Sequence, residues 1–416
     1  MRPHDGKPEH SAPPPSTPEP GATPSEQGKQ APPGMRITAG GLLLWGGTVS
    51  IGFSTVVLLA VLSRHLHHEG FAALSTLFGL FFVASLVTSG IPLRAAALAV
   101  DGAPPMRMTA VQATLFALAG AAVSPIIAYL LHLPVLAVFF ATQVVIAIPL
   151  GIHRGALIAA HRFDAMGGNL FLEGGTRILL GSLAGLVWGL VGVSAGLVVA
   201  SGVALIAVPR QQSAPVRTVR RMTSMLHTWL ALVLLGLFVQ LDILIAPSVL
   251  THSAATKYDV AAVPSKGVYL VLVAVSTLIF PYVRVHAQRR TVVLASAATV
   301  GIGLAVTGVL VALRGTIGAV LGQNVASLPL LVALGVAMSI AGATGIVING
   351  GIALGVPRPW PPLILGMACL LACSFTRPSE ATFGIVVLAA QAGTLLLTAW
   401  VCLRKQPQPA LLPAPA

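Results

Sequence analysis

The stretch from Gly40 to Leu62 carries no charged side chain, and as a helix rising 1.5 Å per residue it is long enough to cross the ~30 Å hydrocarbon layer of a bilayer. Eleven further predominantly apolar stretches follow: Phe71 to Ile91, Met108 to Leu131, Val135 to Ile152, Leu170 to Trp188, Leu190 to Val208, Leu226 to Leu250, Val263 to Val283, Thr291 to Leu313, Leu328 to Leu354, Pro361 to Phe375 and Ala381 to Leu403. The eleventh of the twelve is short and opens on a proline pair, and Gly315 to Ser327 reads as a partial or interfacial segment. Charged residues make up only 8% of the chain, against about 25% in a soluble domain. The fold class these features predict is an all-α polytopic membrane protein of about twelve transmembrane helices in two six-helix lobes.

Placement of the basic residues tests that count independently. With the N-terminus in the cytoplasm, the tail and the even-numbered connections should hold most of the 24 Lys and Arg, and they do. The outer connections receive only Arg64, Lys257, Lys266, Arg314 and Arg377, while Arg177 falls inside a span. An odd number of spans would mix the two groups, so both termini are expected inside a multi-pass cytoplasmic-membrane protein. The formal charge of +13, which in a soluble chain would suggest nucleic acid, is here a topology signal, and no nucleic-acid partner is expected.

Residues 1–35 are rich in Pro, Ser, Gly and Glu with no apolar run, which predicts a disordered cytoplasmic tail without a secretory signal. A first lobe is expected over 36–208, a basic cytoplasmic linker over 209–222, a second lobe over 223–403 and a short cytoplasmic tail over 404–416. The course from Leu59 to Ala97, which ends on Pro92-Leu-Arg94, is echoed from Leu244 to Ala287, which ends on Pro281-Tyr-Val-Arg284. Duplicated halves are a common construction of transporters, with the substrate between them.

Only two of the eleven acids fall inside predicted spans, Glu173 and Asp242, and a charge at bilayer depth costs at least ~2.5 to 3.5 kcal/mol unless it faces a partner or water. Glu173 and Arg177, at i and i+4, can pair along one helix face, as a structural ion pair or as a substrate-facing one. Asp242, beside Gln240, reads either as a cavity-lining or proton-coupling carboxylate or as a buried acid satisfied by a neighbouring helix. Arg64, Arg94, Lys266 and Arg284 lie at predicted span ends, where long basic side chains can snorkel to the interface. Their shared sign suits an anionic head group passing through a wet cavity.

Other chemistries find little support. His65, His67, His68 and Glu69 sit in one short loop without helical spacing or a second ligand group at span depth, so no metal site is expected. No Gly-rich loop followed by Lys-Ser or Lys-Thr and no His-Glu-x-x-His occurs, and the short loops leave little room for a catalytic domain. The chain is read as a non-enzyme without a cofactor. Cys369, Cys373 and Cys402 lie in apolar helices and read as packing residues.

Three segments resemble a known family: "VLSRHLHHEGFAALSTLF" (Val61 to Phe78) its first loop, "HRFDAMGGNLFLEGGTRILLG" (His161 to Gly181) its fourth-to-fifth span connection, and "QLDILIAPSVLTHSAATKYDVAAVPSKGVYLVLVAVSTLIFPYVRVHAQ" (Gln240 to Gln288) its seventh and eighth spans. Together they are similar to polysaccharide transporters of the multidrug/oligosaccharidyl-lipid/polysaccharide exporter superfamily, which includes O-antigen flippases and the lipid II flippase. The resemblance implies two six-helix lobes around a central cavity that alternate between inward-open and outward-open states to turn a lipid-linked sugar across the membrane.

The function expected is therefore a flippase for a lipid-linked oligosaccharide or related envelope precursor. Arg64, Arg94, Arg177, Lys266 and Arg284 are candidate head-group contacts, with Glu173 and Asp242 as orienting or coupling groups. Expected partners are an anionic lipid-linked glycan, the bilayer and envelope polysaccharide synthesis proteins. A cation-coupled drug or metabolite antiporter of the same fold, a non-transporting scaffold that recruits through its Pro-rich tail, and a polytopic glycosyltransferase are the alternatives. The topology has a direct check: alkaline phosphatase fused after Lys405 should be inactive and a green fluorescent reporter there bright, with the reverse after Lys257.

Overall fold

The computed structural model describes residues 39–63, 65, 74, 77, 78, 81, 134–160, 162–209, 223–285, 288–321, 327–354, 356, 358–373, 375, 376 and 378–404. The described elements are all helices: α1 (Ala39–Ser63), α2 (Pro134–Ala159), α3 (Phe163–Ala207), α4 (Thr223–Val249), α5 (His252–Val285), α6 (Arg289–Ala312), α7 (Arg314–Leu321), α8 (Leu328–Ala353), α9 (Pro361–Cys373) and α10 (Glu380–Leu403). Eight of them are long and apolar enough to cross a membrane. The expected span Met108 to Leu131, all but Leu74, Leu77, Phe78 and Phe81 of the expected span Phe71 to Ile91, and the N-terminal tail lie outside the described residues. Side chains such as Ile206, Val187 and Leu396 are left exposed on the outer faces, which hydrocarbon tolerates and water would not. The chain is an all-α, multi-pass membrane protein.

The 45-residue α3 accounts for two predicted spans. It folds back at Gly189, whose φ of 58° and ψ of −137° are closed to residues with a Cβ. Its two arms then run antiparallel in close contact, a Cβ on Gly196 falling 2.7 Å from the Gly181 Cα. Apolar attraction between helices is weak in lipid, so close backbone approach must supply the packing. The same device joins α3 to α1: a Cβ on Gly167 would lie 2.4 Å from the Leu43 carbonyl carbon, and Gly174 abuts Ser50. Gly167, Gly174 and Gly181 are spaced at two-turn intervals and meet Leu43, Ser50 and Leu58 in ascending order, so α1 and the first arm of α3 are parallel. Spans one and five of an alternating count require that direction.

Two helix groups follow from the packing. One core joins Leu44, Leu150, Leu157, Met166, Leu170 and Ala204 of α1 to α3, and another joins Leu235, Phe238, Tyr258, Leu272, Leu334 and Phe383 across α4, α5, α8 and α10. In the second group α8 runs antiparallel to α6, with Gly303 on Ser339 and Val292 on Gly350, and parallel to α10, with Leu330 on Gly384 and Cys402 on Gly351. Helix α10 starts where the Ser379 hydroxyl accepts the Thr382 backbone N–H at 3.2 Å. The groups meet where α1 lies antiparallel to α5: Gly52 touches Leu270, and Val260 shares a core with Leu58, Leu59 and Leu62.

The boundaries depart from the sequence reading most at α5, which is 34 residues long and about 51 Å at 1.5 Å per residue. It begins at His252 rather than at Val263, because its polar residues face protein instead of lipid. Asp259 and Lys266 are therefore 1% and 6% exposed inside a helix, not loop residues. Helix α2 likewise runs past Ile152 to Ala159 and takes Arg154 with it, and the partial segment after Gly315 is the short α7. The α1–α3 seam has a simple check in detergent melting: Gly174→Ala, which forces a Cβ against the Ser50 backbone, should destabilise by roughly 1–3 kcal/mol. Gly175→Ala, with open space around it, should be neutral or slightly stabilising.

Candidate functional site

Glu173 sits on the first arm of α3 at 2% exposure, and three polar side chains converge on it. Arg154 Nη2 of α2 donates to Oε2 at 2.6 Å, Arg177 Nη2 donates to Oε1 at 2.5 Å, and Ser201 Oγ from the returning arm donates to Oε1 at 2.9 Å. A second tier holds these in place. Arg154 gives Nε and Nη2 to Asn169 Oδ1 at 2.9 and 2.7 Å, Asn169 Nδ2 caps the Ala204 carbonyl at 2.8 Å, and Gln143 Nε2 donates to Ser201 Oγ at 2.9 Å. One carboxylate thus faces two guanidiniums, and the donors outnumber the acceptors it supplies. The carboxylate is fully engaged, and the cluster has one formal positive charge in excess.

The second helix group carries a smaller cluster. Lys266 Nζ of α5 donates to Asp242 Oδ1 of α4 at 2.6 Å and to the Val239 carbonyl, and Tyr258 Oη donates to Asp242 Oδ2 at 2.7 Å. Tyr258 in turn packs on Phe383 of α10, with ring centroids 5.0 Å apart. An ammonium has three donors, and these two contacts leave one.

Both clusters border one cavity of about 310 Å³ that lies between the two groups. Among the described residues its charged lining is Arg154, Arg177, Lys266 and Glu173, three cations to one carboxylate, while Asp242 stands behind Lys266. The rest of the wall is largely apolar, with Gln143, Ser201, Gln240, Ser276 and Asn349 among its polar members. The lining reaches Ile158 and Met166 at the end of the bundle that carries Arg162, Arg289 and Arg404. At the other end Val260 packs on the Leu58–Leu62 turn of α1 and closes the groups together. A mostly apolar wall strengthens each fixed charge, so the cavity is suited to hold an anion or an anionic head group.

Of the residues singled out from the sequence, Arg177, Glu173 and Lys266 meet at this cavity and Asp242 supports it. Lys266 is a correction: it does not snorkel from a span end but is fixed inside α5 by Asp242. Arg284 belongs to α5, and its side chain lies outside the described residues, as do Arg64 and Arg94 altogether. The His cluster is represented by His65, whose Nδ1 lies 3.1 Å from the Val61 carbonyl oxygen; His67, His68 and Glu69 are outside the described residues. Arg154 was missed because its predicted span ended two residues short of it. A Gly-x-Ser-x-Gly spacing does occur, Gly192 to Gly196, but within α3: Ser194 is fully buried and bonded to the Leu190 carbonyl at 2.9 Å, and both glycines face the other arm. That is packing, not a nucleophile turn.

The pairing predicts a graded stability response, read by melting in detergent. Asp242→Asn leaves Lys266 buried without its ion-pair partner and should cost about 3–5 kcal/mol, as should Glu173→Gln beside two guanidiniums. Asp242→Leu combined with Lys266→Met should recover most of the loss. Equal losses in single and double variants would contradict the pairing.

No protein-family model matches the chain, and no curated protein matches it by sequence. Solved structures do match. A point mutant of the MATE transporter VcmN from Vibrio cholerae aligns with a TM-score of 0.63 at 14% identity, covering 88% of this chain and 95% of that one. An inward-facing multidrug resistance MATE family transporter of the MOP superfamily gives 0.59 at 12%, covering 88% and 98%. The lipid II flippase MurJ in an inward closed conformation gives 0.58 at 11%, covering 85% and 86%. What the likeness establishes is the fold, the helical membrane bundle that MATE transporters share with the lipid II flippase.

Proposed function

We propose that the chain is a flippase that carries a lipid-linked oligosaccharide or related envelope polysaccharide precursor across the cytoplasmic membrane by alternating access. The observation that carries this reading is the charge of the cavity wall among the described residues: Arg154, Arg177 and Lys266 against Glu173. Guanidinium and ammonium donors match phosphate or pyrophosphate oxygens, and they come from both helix groups, so a bound anion would be gripped by both. Arg177 and Lys266 act as head-group contacts, Arg154 joins them, and Glu173 and Asp242 orient the cations. The fold neighbours include a lipid II flippase, which supports the reading without fixing the substrate.

Direction follows from the same sign. With the interior negative, moving an anion outward is favoured by ~2.3 kcal/mol per charge per 100 mV, so export needs no dedicated coupling carboxylate. Both termini lie in the cytoplasm on this reading, and the cavity extends toward that side. The Pro-rich tail would then be available to envelope-synthesis proteins. A cation-coupled drug antiporter of the same fold is the competing reading, since multidrug transporters are also fold neighbours. It calls for an unpaired acid in the cavity, whereas Glu173 is held by Arg154 and Arg177 and Asp242 by Lys266.

Proteoliposomes loaded with a fluorescent prenyl-pyrophosphoryl sugar test the proposal. Arg177→Ala and Lys266→Ala should each slow flipping at least about tenfold, the cost of one charge-assisted contact, with ethidium not transported. Full flipping in both variants, or ethidium transport whose pH dependence vanishes in Asp242→Asn, would overturn it.

A further inference from the structure

The cavity wall holds polar atoms that the protein leaves unmatched. Gln143 is 2% exposed and Asn349 7% exposed, both line the cavity, and Gln143 Oε1 and Asn349 Oδ1 have no hydrogen-bond partner. Nearly all buried amide oxygens in proteins find a donor. For Gln143 the neighbouring hydroxyl fixes which end of the amide is left over. Ser201 gives its proton to Glu173, so it can only accept from Gln143, which requires Nε2. Asn349 places Nδ2 on Ser276 Oγ at 3.2 Å and leaves Oδ1 open. Two carbonyl acceptors remain, one on α2 in the first helix group and one on α8 in the second.

We infer that Gln143 and Asn349 are specificity-determining residues that read hydrogen-bond donors on the ligand, the hydroxyl and amide N–H groups of a sugar joined to the anion. The inference rests on the anion-carrying reading above and deepens it. The two amides complement the cations: Arg177, whose Nε also lacks a partner, and Lys266 need acceptors, which phosphate oxygens supply. A fully ionised pyrophosphate offers Gln143 and Asn349 nothing, because it has no donor, and a lipophilic cation satisfies neither set. A glycosyl pyrophosphate satisfies both. Sites with buried acceptors discriminate sharply against analogues lacking the matching hydroxyl, since the acceptors are then desolvated for no return. Because the two amides belong to different helix groups, both are engaged only when the groups stand together around the ligand.

The test uses the purified full chain in nanodiscs and three probes: farnesyl pyrophosphate, farnesyl-pyrophosphoryl-N-acetylglucosamine, and the same glycolipid with two sugar hydroxyls removed. The glycosylated probe should bind about tenfold more tightly than the sugarless one, and the dideoxy probe should lose most of that gain. Gln143→Met and Asn349→Leu should each shrink the ratio of glycosylated to sugarless affinity by about fivefold. Equal binding of all three probes, or variants that weaken glycosylated and sugarless probes by the same factor, would overturn the inference and leave the anion reading intact. Binding of none of the probes removes the anion reading itself. Should a variant fail to fold, the probe series on the unaltered protein decides alone.

Discussion

The Glu173 carboxylate is buried inside the bundle, where two guanidiniums and a hydroxyl reach it from three directions, and much of the first helix group is arranged to make that possible. Arg154 must come from α2, so α2 continues past the predicted end of its span. Ser201 must come from the returning arm of α3, so the chain reverses within one residue at Gly189. The arms and α1 then pack through small residues, which sets the relative height of residues 154, 173 and 201. Removing the carboxylate would leave two like charges in apolar surroundings; removing both arginines would leave a bare acid. The cluster is indivisible in that sense, and its excess positive charge faces the cavity.

The second group solves a similar problem with a neutral pair. Lys266 is held by Asp242 and a backbone carbonyl, and Tyr258 fixes the other carboxylate oxygen. Only the ammonium borders the cavity, so the wall stays cationic although the pair is neutral. Burial of paired charges gains little stability in itself. Its consequence is positional, with one cation fixed on each side of a space where a ligand could sit.

The order of the described helices was legible in the sequence because hydropathy over twenty residues is a strong signal. The split at Gly189 and the Glu173–Arg177 spacing were legible too. What hydropathy could not see was helix that is polar yet buried: the His252 to Ala262 part of α5 looked like a loop, and Lys266 and Asp259 with it. Arg154 was lost for the same reason, since a charge beyond the apolar run reads as a connection. Gln143 and Asn349 left no trace at all, because a lone neutral amide in an apolar run gives no period, spacing or charge. They become visible only when their hydrogen bonds are followed atom by atom.

The central claim is that the space between the helix groups carries negative charge. Capacitive current from proteoliposomes on a solid-supported membrane measures that sign directly. Addition of farnesyl pyrophosphate should evoke a transient whose polarity reports inward-bound negative charge, suppressed in the Arg154→Gln, Arg177→Gln, Lys266→Gln triple variant. A transient of opposite polarity, evoked by tetraphenylphosphonium and absent with the pyrophosphate, would contradict the account.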